Sequence, residues 1–235
     1  MQKSTVEEIR ARFDRDVERF SNLESGQSAT MNAPLVLDLI VEAAKATTPN
    51  AKRALDVGCG AGNYSLKLLE QFSDLSFDLV DLSRPMLERA TERLSAKTNG
   101  LVTSHQSDIR VLDLPENSFD IVVAAAVLHH LRDESEWREV FQKFYKILKN
   151  GGSLWISDLV THSIESVHAM MWARYGDYLR DLKNEEYRAE VFAYIAKEDT
   201  PRPLMWQLEM LREVGFSEVE ILHKNSVFAS FGAVK

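Results

Sequence analysis

One stretch constrains the fold more than any other. Residues 54–63 read ALDVGCGAGN: an apolar run ends in an acid and then meets glycine at every second position. Glycine allows positive φ angles and close backbone approach to a ligand, so this pattern predicts a buried parallel strand that turns tightly into a helix. Dinucleotide folds use G-x-G-x-x-G and place a pyrophosphate on the helix N-terminus, whereas the spacing here is G-x-G-x-G.

Asp56 stands just before this turn. A carboxylate at that point favours a cationic ligand group, such as the ammonium of an amino acid, over a diphosphate. The alternative is a tight turn that binds no ligand.

Strand-like and helix-like patterns alternate along residues 53–157. This alternation predicts a parallel, doubly wound sheet. Two final β segments, residues 219–223 and 227–234, are separated by only three residues, which predicts an antiparallel hairpin. The predicted fold class is therefore α/β, with a doubly wound, mostly parallel seven-stranded sheet and a C-terminal antiparallel hairpin. The five parallel strands are predicted over residues 53–57, 77–81, 101–105, 119–124 and 153–157.

Two segments stand outside this alternation, within what we predict to be a single domain over residues 1–235. Residues 1–50 form a predicted helical cap, with one amphipathic helix from Val6 to Phe20, a loop, and a second helix that begins near Pro34. Residues 159–203 are helical in composition and rich in aromatic side chains. We expect them to form a lid over the carboxyl edge of the sheet, where such folds bind ligands. The alternative is a helical pair that only buries apolar area.

Composition limits the partners. The formal net charge of −8 argues against nucleic acid and against anionic membranes, although a local basic patch would override that average. Cys59 is the only cysteine, so no internal disulfide is expected. We see no N-terminal signal pattern and no apolar run of membrane-spanning length, which predicts a cytoplasmic protein. No metal site is predicted, and a homodimer through the lid or first helix remains open.

With its parts in this order, the chain resembles class I S-adenosylmethionine-dependent methyltransferases of the small-molecule type. The resemblance is good over residues 54–152, moderate over the hairpin, and loose over the lid and the first thirty residues. It implies a Rossmann-like methyltransferase fold and S-adenosylmethionine as the cofactor. By the resemblance, Gly58, Cys59 and Gly60 lie along the methionine part of the cofactor. The alternative for Cys59 is a small, packed apolar residue without thiol chemistry.

The resemblance also assigns the nucleoside half of the cofactor. Asp81, followed by Leu82, takes both ribose hydroxyls, since a carboxylate offers two acceptors to two vicinal donors. Met86 packs near the adenine. Asp108 accepts from the adenine amino group, and Ile109 makes a backbone contact. The alternatives are a helix-capping acid for Asp81 and an ordinary loop acid for Asp108.

Residues 119–131 resemble the fourth motif of the family. Enzymes that methylate exocyclic amino groups of nucleic acids often carry Asn/Asp-Pro-Pro-aromatic here, whereas this chain has Ala-Ala-Ala, which favours a small-molecule substrate. Ala125 contributes backbone to the methionine end of the cofactor.

Methyl transfer from a sulfonium needs alignment above all, and an oxygen acceptor also needs a base, for which His129 is the first candidate and Asp158 the second. The alternatives are a structural histidine and a helix-capping aspartate.

A second resemblance is to carboxy-S-adenosylmethionine synthase, which modifies the cofactor itself. Arg188 stands roughly where that family has a lid arginine that holds the added carboxylate, and a guanidinium suits this role. Ala125 departs from that family, which has an asparagine there. The alternative for Arg188 is a surface salt bridge. The resemblance is carried by Tyr187-Arg188, Lys197-Glu198-Asp199-Thr200, Met205 to Phe216 and Phe228-Ala229-Ser230-Phe231-Gly232.

Two readings from other classes stay open. A module that binds S-adenosylmethionine without catalysis would show the same cofactor motifs. A nicotinamide-dependent dehydrogenase is disfavoured by the glycine spacing and by the final hairpin.

Overall fold

A single seven-stranded sheet organises the chain in its computed structural model, which describes residues 3–22 and 27–235. The strand order is β3-β2-β1-β4-β5-β7-β6. The first five strands are parallel, and β7 runs antiparallel to both of its neighbours. The predicted mostly parallel sheet with a C-terminal antiparallel hairpin is confirmed. The strands are β1 Arg53–Val57, β2 Ser76–Asp81, β3 Val102–Gln106, β4 Phe119–Ala125, β5 Leu148–Leu159, β6 Glu218–Asn225 and β7 Phe228–Val234.

Helices cover both faces of this sheet. One face carries α3 (Ala33–Thr47), α4 (Asn63–Leu68) and α5 (Arg84–Ser95), and the other carries α6 (Glu134–Ile147) and α9 (Leu204–Glu213). Strand β4 shows why the sheet must be covered twice. Its Ile121 and Val123 pack on the face covered by α3, α4 and α5. Its Val122 and Ala124 pack on the face covered by α6 and α9, because successive side chains of a strand point to opposite faces.

The strand order reverses between β1 and β4. Ligands of open α/β sheets bind in the crevice at this reversal, at the carboxyl ends of the strands. The glycine-rich turn leaves β1 there, and a short 3₁₀ helix, Leu128–His130, follows β4.

The N-terminal segment differs from its prediction as one continuous helix. It forms α1 (Val6–Phe13) and α2 (Val17–Ser21), and Thr5 caps α1 in a capping box with Glu8. The break brings the rings of Phe13 and Phe20 to 5.6 Å, whereas seven residues along one straight helix would separate them by about 10 Å. Residues 23–26 of the predicted loop lie outside the described residues.

Two boundaries and one buried face also differ from the predictions. The helical spacing of Leu66, Leu69 and Phe72 predicts that α4 continues to Phe72, but α4 ends at Leu68. Strand β5 begins at Leu148 rather than at the predicted Ser153 because Leu148 already pairs with β4. In α3, the apolar spacing of the sequence predicts a buried stripe that includes Leu35, but Leu35 is 47% exposed. Apolar residues surround most of that helix, so periodicity alone does not select the face that packs. Its buried side chains are Ala33, Val36, Leu37, Ile40, Val41 and Ala44.

The segment between β5 and α9 is a helical insertion of α7 (Glu165–Leu182) and α8 (Glu185–Glu198). It is tied to the N-terminal segment. The hydroxyls of Tyr175 and Tyr178 donate to the carbonyls of Ala29 and Ser28, at 3.0 and 2.7 Å. The insertion and the N-terminal helices therefore form one wall above the carboxyl edge of the sheet.

Candidate functional site

A cavity of about 640 Å³ lies at the carboxyl ends of β1, β2 and β4, within the 300–1,000 Å³ usual for small-molecule sites. It runs from the glycine-rich turn to the helical insertion. His129 and Asp158 line this cavity. So do all the residues that the sequence predicted to bind a cofactor: Asp56, Gly58, Cys59, Gly60, Asp81, Leu82, Met86, Asp108, Ile109 and Ala125. Positions far apart in the sequence thus meet in one space.

The turn after β1 depends on its glycines. Gly58 and Gly60 have φ angles of 65° and 51°. A Cβ on Gly58 would lie 2.6 Å from Cγ2 of Val127, while a Cβ on Gly60 would meet nothing within 4 Å. The backbone at Gly60 therefore faces open cavity, where a ligand can approach it closely.

Cys59 is buried in the turn, and burial raises the pKa of its thiol well above the ordinary value. A buried neutral thiol behaves as a small apolar group. This environment agrees with the packed alternative for Cys59.

Two carboxylates flank the turn. Asp56 is buried, accepts a hydrogen bond of 2.6 Å from the Ser65 hydroxyl, and has a pKa raised to about 6 by burial. Asp81 accepts from the backbone N–H groups of Gly60 and Ser83, at 2.9 and 2.8 Å. Each Asp81 oxygen keeps a second lone pair, so the carboxylate can hold the turn and still accept two hydrogen bonds from a ligand.

Asp108 has a partner that the sequence did not indicate. Arg110 donates from Nε to both carboxylate oxygens of Asp108, at 3.0 Å each. It also donates from Nη1 to Oε1 of Glu136 at 2.7 Å. Burial alone would raise the pKa of Asp108, but the hydrogen bonds from Arg110 outweigh it, and the pKa is lowered. Asp108 is therefore a charged, fixed acceptor with part of its capacity already used.

Two elements hold His129. Asp158, at the end of β5, accepts from the backbone N–H groups of Leu128 and His129, at 2.8 and 3.2 Å, and from Nδ1 of the His129 ring. The opposite ring nitrogen, Nε2, lies 3.6 Å from Oδ1 of Asp199. Asp158 thus orients the histidine. The alternative from the sequence, that Asp158 caps the following helix, does not match these contacts.

Burial would lower the pKa of His129, but the two carboxylates outweigh burial and raise the pKa to about 9. The ring is therefore protonated at neutral pH. A protonated imidazole can donate a hydrogen bond but cannot take a proton, so this arrangement does not favour His129 as the general base.

His130 and Asp199 are site residues that the sequence analysis missed. Nδ1 of His130 lies 3.4 Å from Oδ1 of Asp199, and burial raises the pKa of Asp199 to about 6. The backbone N–H of Thr200 donates to the carbonyl of His129 at 2.6 Å, which fixes Asp199 beside the histidines. No sequence signal could have paired them, because Asp199 follows α8, about seventy residues away.

Aromatic side chains line the end of the cavity beneath the insertion: Phe13, Phe20, Tyr175, Tyr187, Tyr194 and Phe228. Arg188 is not among the described residues that line the cavity. Its guanidinium pairs with Glu185 at 3.1 Å and lies against Gly176. Residues Tyr187, Glu190 and Val191 of the same helix do face the cavity, so the helical turn directs Arg188 elsewhere. This placement matches the salt-bridge alternative and does not support the expected carboxylate contact.

Among the described residues, every helix is too short or too polar to cross a lipid bilayer.

Comparison with known proteins agrees with this architecture. Residues 54–152 match a family described as a methyltransferase domain. Over 90% of its length, the chain is 25% identical to a malonyl-[acyl-carrier protein] O-methyltransferase of Paenibacillus, covering 71% of that protein. It is 24% identical over 85% of its length to a carboxy-S-adenosyl-L-methionine synthase of Nautilia profundicola, covering 84% of that protein.

The chain spans only about 60% of the length of several other curated methyltransferases that it matches. Among solved structures, the N-methyltransferase NodS of Bradyrhizobium japonicum in complex with S-adenosyl-L-homocysteine has the same fold. Its TM-score is 0.64 at 16% identity, over 95% of this chain and 98% of that one. The strand order and the glycine turn agree with the methyltransferase domain that residues 54–152 match.

Proposed function

We propose that this chain binds S-adenosylmethionine at the glycine-rich end of the cavity and transfers its methyl group to a small molecule held at the aromatic end. One observation carries the proposal: a single continuous cavity joins the turn at Gly58–Gly60 to the ring of His129 and to the aromatic wall. Donor and acceptor must lie in line for methyl transfer, and one cavity with two chemically distinct ends provides that alignment.

The cofactor end suits S-adenosylmethionine by its charges. Asp56 offers a buried carboxylate to the ammonium of the methionine part, beside the open backbone at Gly60. Asp81 has two lone pairs for the ribose hydroxyls. Met86 and Ile109 supply apolar surface for the adenine, and the remaining lone pairs of Asp108 suit its amino group.

The acceptor end suits a molecule with an apolar or planar body and one polar group. The aromatic side chains supply the apolar surface, and the polar group would meet His129, His130 and Asp199, which we call the histidine–aspartate cluster. In this proposal the cluster positions the acceptor atom against the cofactor's methyl group. His129 then acts by orientation and charge, because its Nδ1 is held by Asp158 and its Nε2 faces Asp199.

Calorimetry with S-adenosylmethionine and S-adenosylhomocysteine tests the cofactor half. A 1:1 complex is expected for each, and NADH should not compete. The transfer half is tested with methyl-labelled cofactor against panels of phenols, carboxylic acids and amines, with extracted products analysed by mass spectrometry. A chain that binds neither cofactor form would contradict the proposal. Cofactor binding without transfer to any class of acceptor would favour a non-catalytic binding module.

A second candidate is an enzyme of the carboxy-S-adenosylmethionine synthase type. The observation that favours it is the alignment with the Nautilia enzyme, which runs over most of both chains. The position of Arg188 outside the cavity weighs against it. Mass spectrometry of ligand released from purified protein separates the two, because this candidate predicts a nucleoside heavier than S-adenosylmethionine by one carboxyl group.

A further inference from the structure

The histidine–aspartate cluster contains polar atoms that the rest of the fold leaves unsatisfied. Within the described residues, three atoms of the cluster form no hydrogen bond of ordinary geometry: the two ring nitrogens of His130 and Oδ1 of Asp199. Asp199 is 4% exposed, so water does not readily compensate this loss. Buried polar atoms without partners are rare in native proteins and call for a partner such as an ion.

The unsatisfied atoms converge on one point. Oδ1 of Asp199 lies 3.4 Å from Nδ1 of His130 and 3.6 Å from Nε2 of His129, and one ligand atom from each residue lies within 4.8 Å of the others. Metal–ligand distances of about 2.0–2.2 Å in a tetrahedral zinc site place its ligand atoms about 3.4 Å apart. Two of the three separations therefore already match, and the third is no longer than 4.8 Å.

The surroundings match the outer shell of a metal site. A metal-bound histidine usually donates its other ring N–H to a carboxylate, which fixes its tautomer. Asp158 receives Nδ1 of His129 in this way, and it is itself held by the backbone N–H groups of Leu128 and His129. Nε2 is then the nitrogen aimed at Asp199.

Charge gives an independent reason. Asp158 and Asp199 are both buried and flank a single imidazole. Two buried carboxylates need compensating positive charge. Without a metal, the protonated His129 ring supplies one positive charge, whereas a divalent cation that replaces the Nε2 proton supplies two. The donor set of two imidazoles and one carboxylate suits Zn²⁺ and neighbouring first-row divalent metals.

We propose that His129, His130 and Asp199 form a binding site for one divalent transition metal ion, with Zn²⁺ as the probe, inside the cavity. Three protein ligands with a fourth position open to the cavity are the arrangement of catalytic rather than structural zinc sites. All three residues line the cavity, so an oxygen atom of the bound acceptor takes the open position. That last step rests on the proposed function, whereas metal binding itself does not.

The site is held in advance by contacts outside the cluster. Thr200 ties the end of the insertion to the His129 carbonyl, and Arg132 donates to the Thr200 hydroxyl at 3.1 Å. These contacts fix the carboxylate and the histidines without using their ligand atoms, so metal binding requires little rearrangement.

The test uses the full chain after dialysis against a chelator. Zn²⁺ affinity and stoichiometry are measured by competition calorimetry and elemental analysis, and Co²⁺ binding by visible absorption. One ion per chain is expected. His130→Ala and Asp199→Asn should each weaken Zn²⁺ binding at least about 100-fold, more than the 10–100-fold typical of losing an outer-shell partner. Both should also abolish the Co²⁺ absorption bands.

His168→Ala is the matched control. His162 and His168 are also paired, with ring centroids 6.1 Å apart, but they do not belong to the cluster, so Zn²⁺ affinity should change less than about 2-fold. Asp199→Asn preserves side-chain shape, and it decides the test if His130→Ala does not fold.

Absence of a stoichiometric ion in the parent chain, or parental Zn²⁺ affinity in a folded Asp199→Asn chain, overturns the metal site. S-adenosylmethionine binding is measured on the same samples. A chain that binds the cofactor but no metal refutes the metal site alone, and a chain that binds metal but no cofactor refutes the proposed function alone.

Discussion

The buried carboxylate of Asp56, before the glycine turn, should lower the stability of the ligand-free protein and strengthen ligand binding. Asp56 is 2% exposed, and its single side-chain partner is the neutral hydroxyl of Ser65 among the residues described here. Asp56→Asn keeps the shape and an oxygen that can accept from Ser65, and it removes the buried charge. We expect this variant to be more stable than the parent at pH 8 and to bind S-adenosylmethionine more weakly.

The magnitude follows from the pKa of Asp56. Burial raises it from 3.8 to about 6 in the folded chain, whereas the unfolded chain keeps the ordinary value. Between these two pH values the folded chain binds more protons than the unfolded chain, so this group makes the free energy of unfolding fall as pH rises. Above pH 6 the loss is complete, at about 3 kcal/mol for a shift of about two units.

Urea unfolding of parent and variant at pH 4.5, 6 and 8 measures this effect. The stability advantage of Asp56→Asn should be about 1 kcal/mol at pH 4.5 and approach about 3 kcal/mol at pH 8. Asp113→Asn, at an exposed aspartate, is the control and should stay within about 0.5 kcal/mol of the parent. A variant less stable than the parent at pH 8, or an advantage independent of pH, would refute the argument. Calorimetry should show cofactor affinity reduced about 10-fold or more, because a hydrogen bond to a charged group is lost.

Four further substitutions test the site. Asp81→Ala should weaken S-adenosylmethionine binding by about 1.5–3 kcal/mol in calorimetry, and unchanged affinity in a folded variant would exclude the ribose contact. Gly58→Ala should lower the unfolding midpoint more than Gly60→Ala, because only the first places a Cβ against Val127, at 2.6 Å; equal midpoints would contradict this packing. Arg188→Ala should leave cofactor affinity and turnover within about 2-fold of the parent, as expected for a surface ion pair. A large loss of turnover would restore the carboxylate role of Arg188.

Local patterns were sufficient for much of the fold. The glycine spacing predicted the turn after β1. A serine directly before Arg84-Pro85 is typical of an N-cap, and Ser83 caps α5 by accepting from the N–H of Met86. Leu87, Ala90 and Leu94 recur at helical spacing in the sequence, and all three are buried in α5. Each of these depends on residues within a few positions of one another, so sequence order carries the information.

The sequence did not predict which groups the charged side chains pair with. Arg110 binds the carboxylate of Asp108. Asp158 and Asp199 lie on either side of the His129 ring, and Arg188 pairs with Glu185. The first arrangement depends on the conformation of a single loop, because Asp108 and Arg110 are two residues apart. The second depends on which elements meet over the carboxyl edge of the sheet. The third depends on which side of α8 faces inward, and the weakly amphipathic sequence of that helix does not specify it.

The sequence by itself determined the sheet, the reversal point of its strands and the place of the cofactor turn, because alternating apolar segments and glycine conformations act locally. Only the tertiary structure decided the chemistry at the far end of the cavity. There the chain brings β5 and the end of α8 to the two histidines, so that the charge on Asp199 is set by burial and distance rather than by its neighbours in sequence.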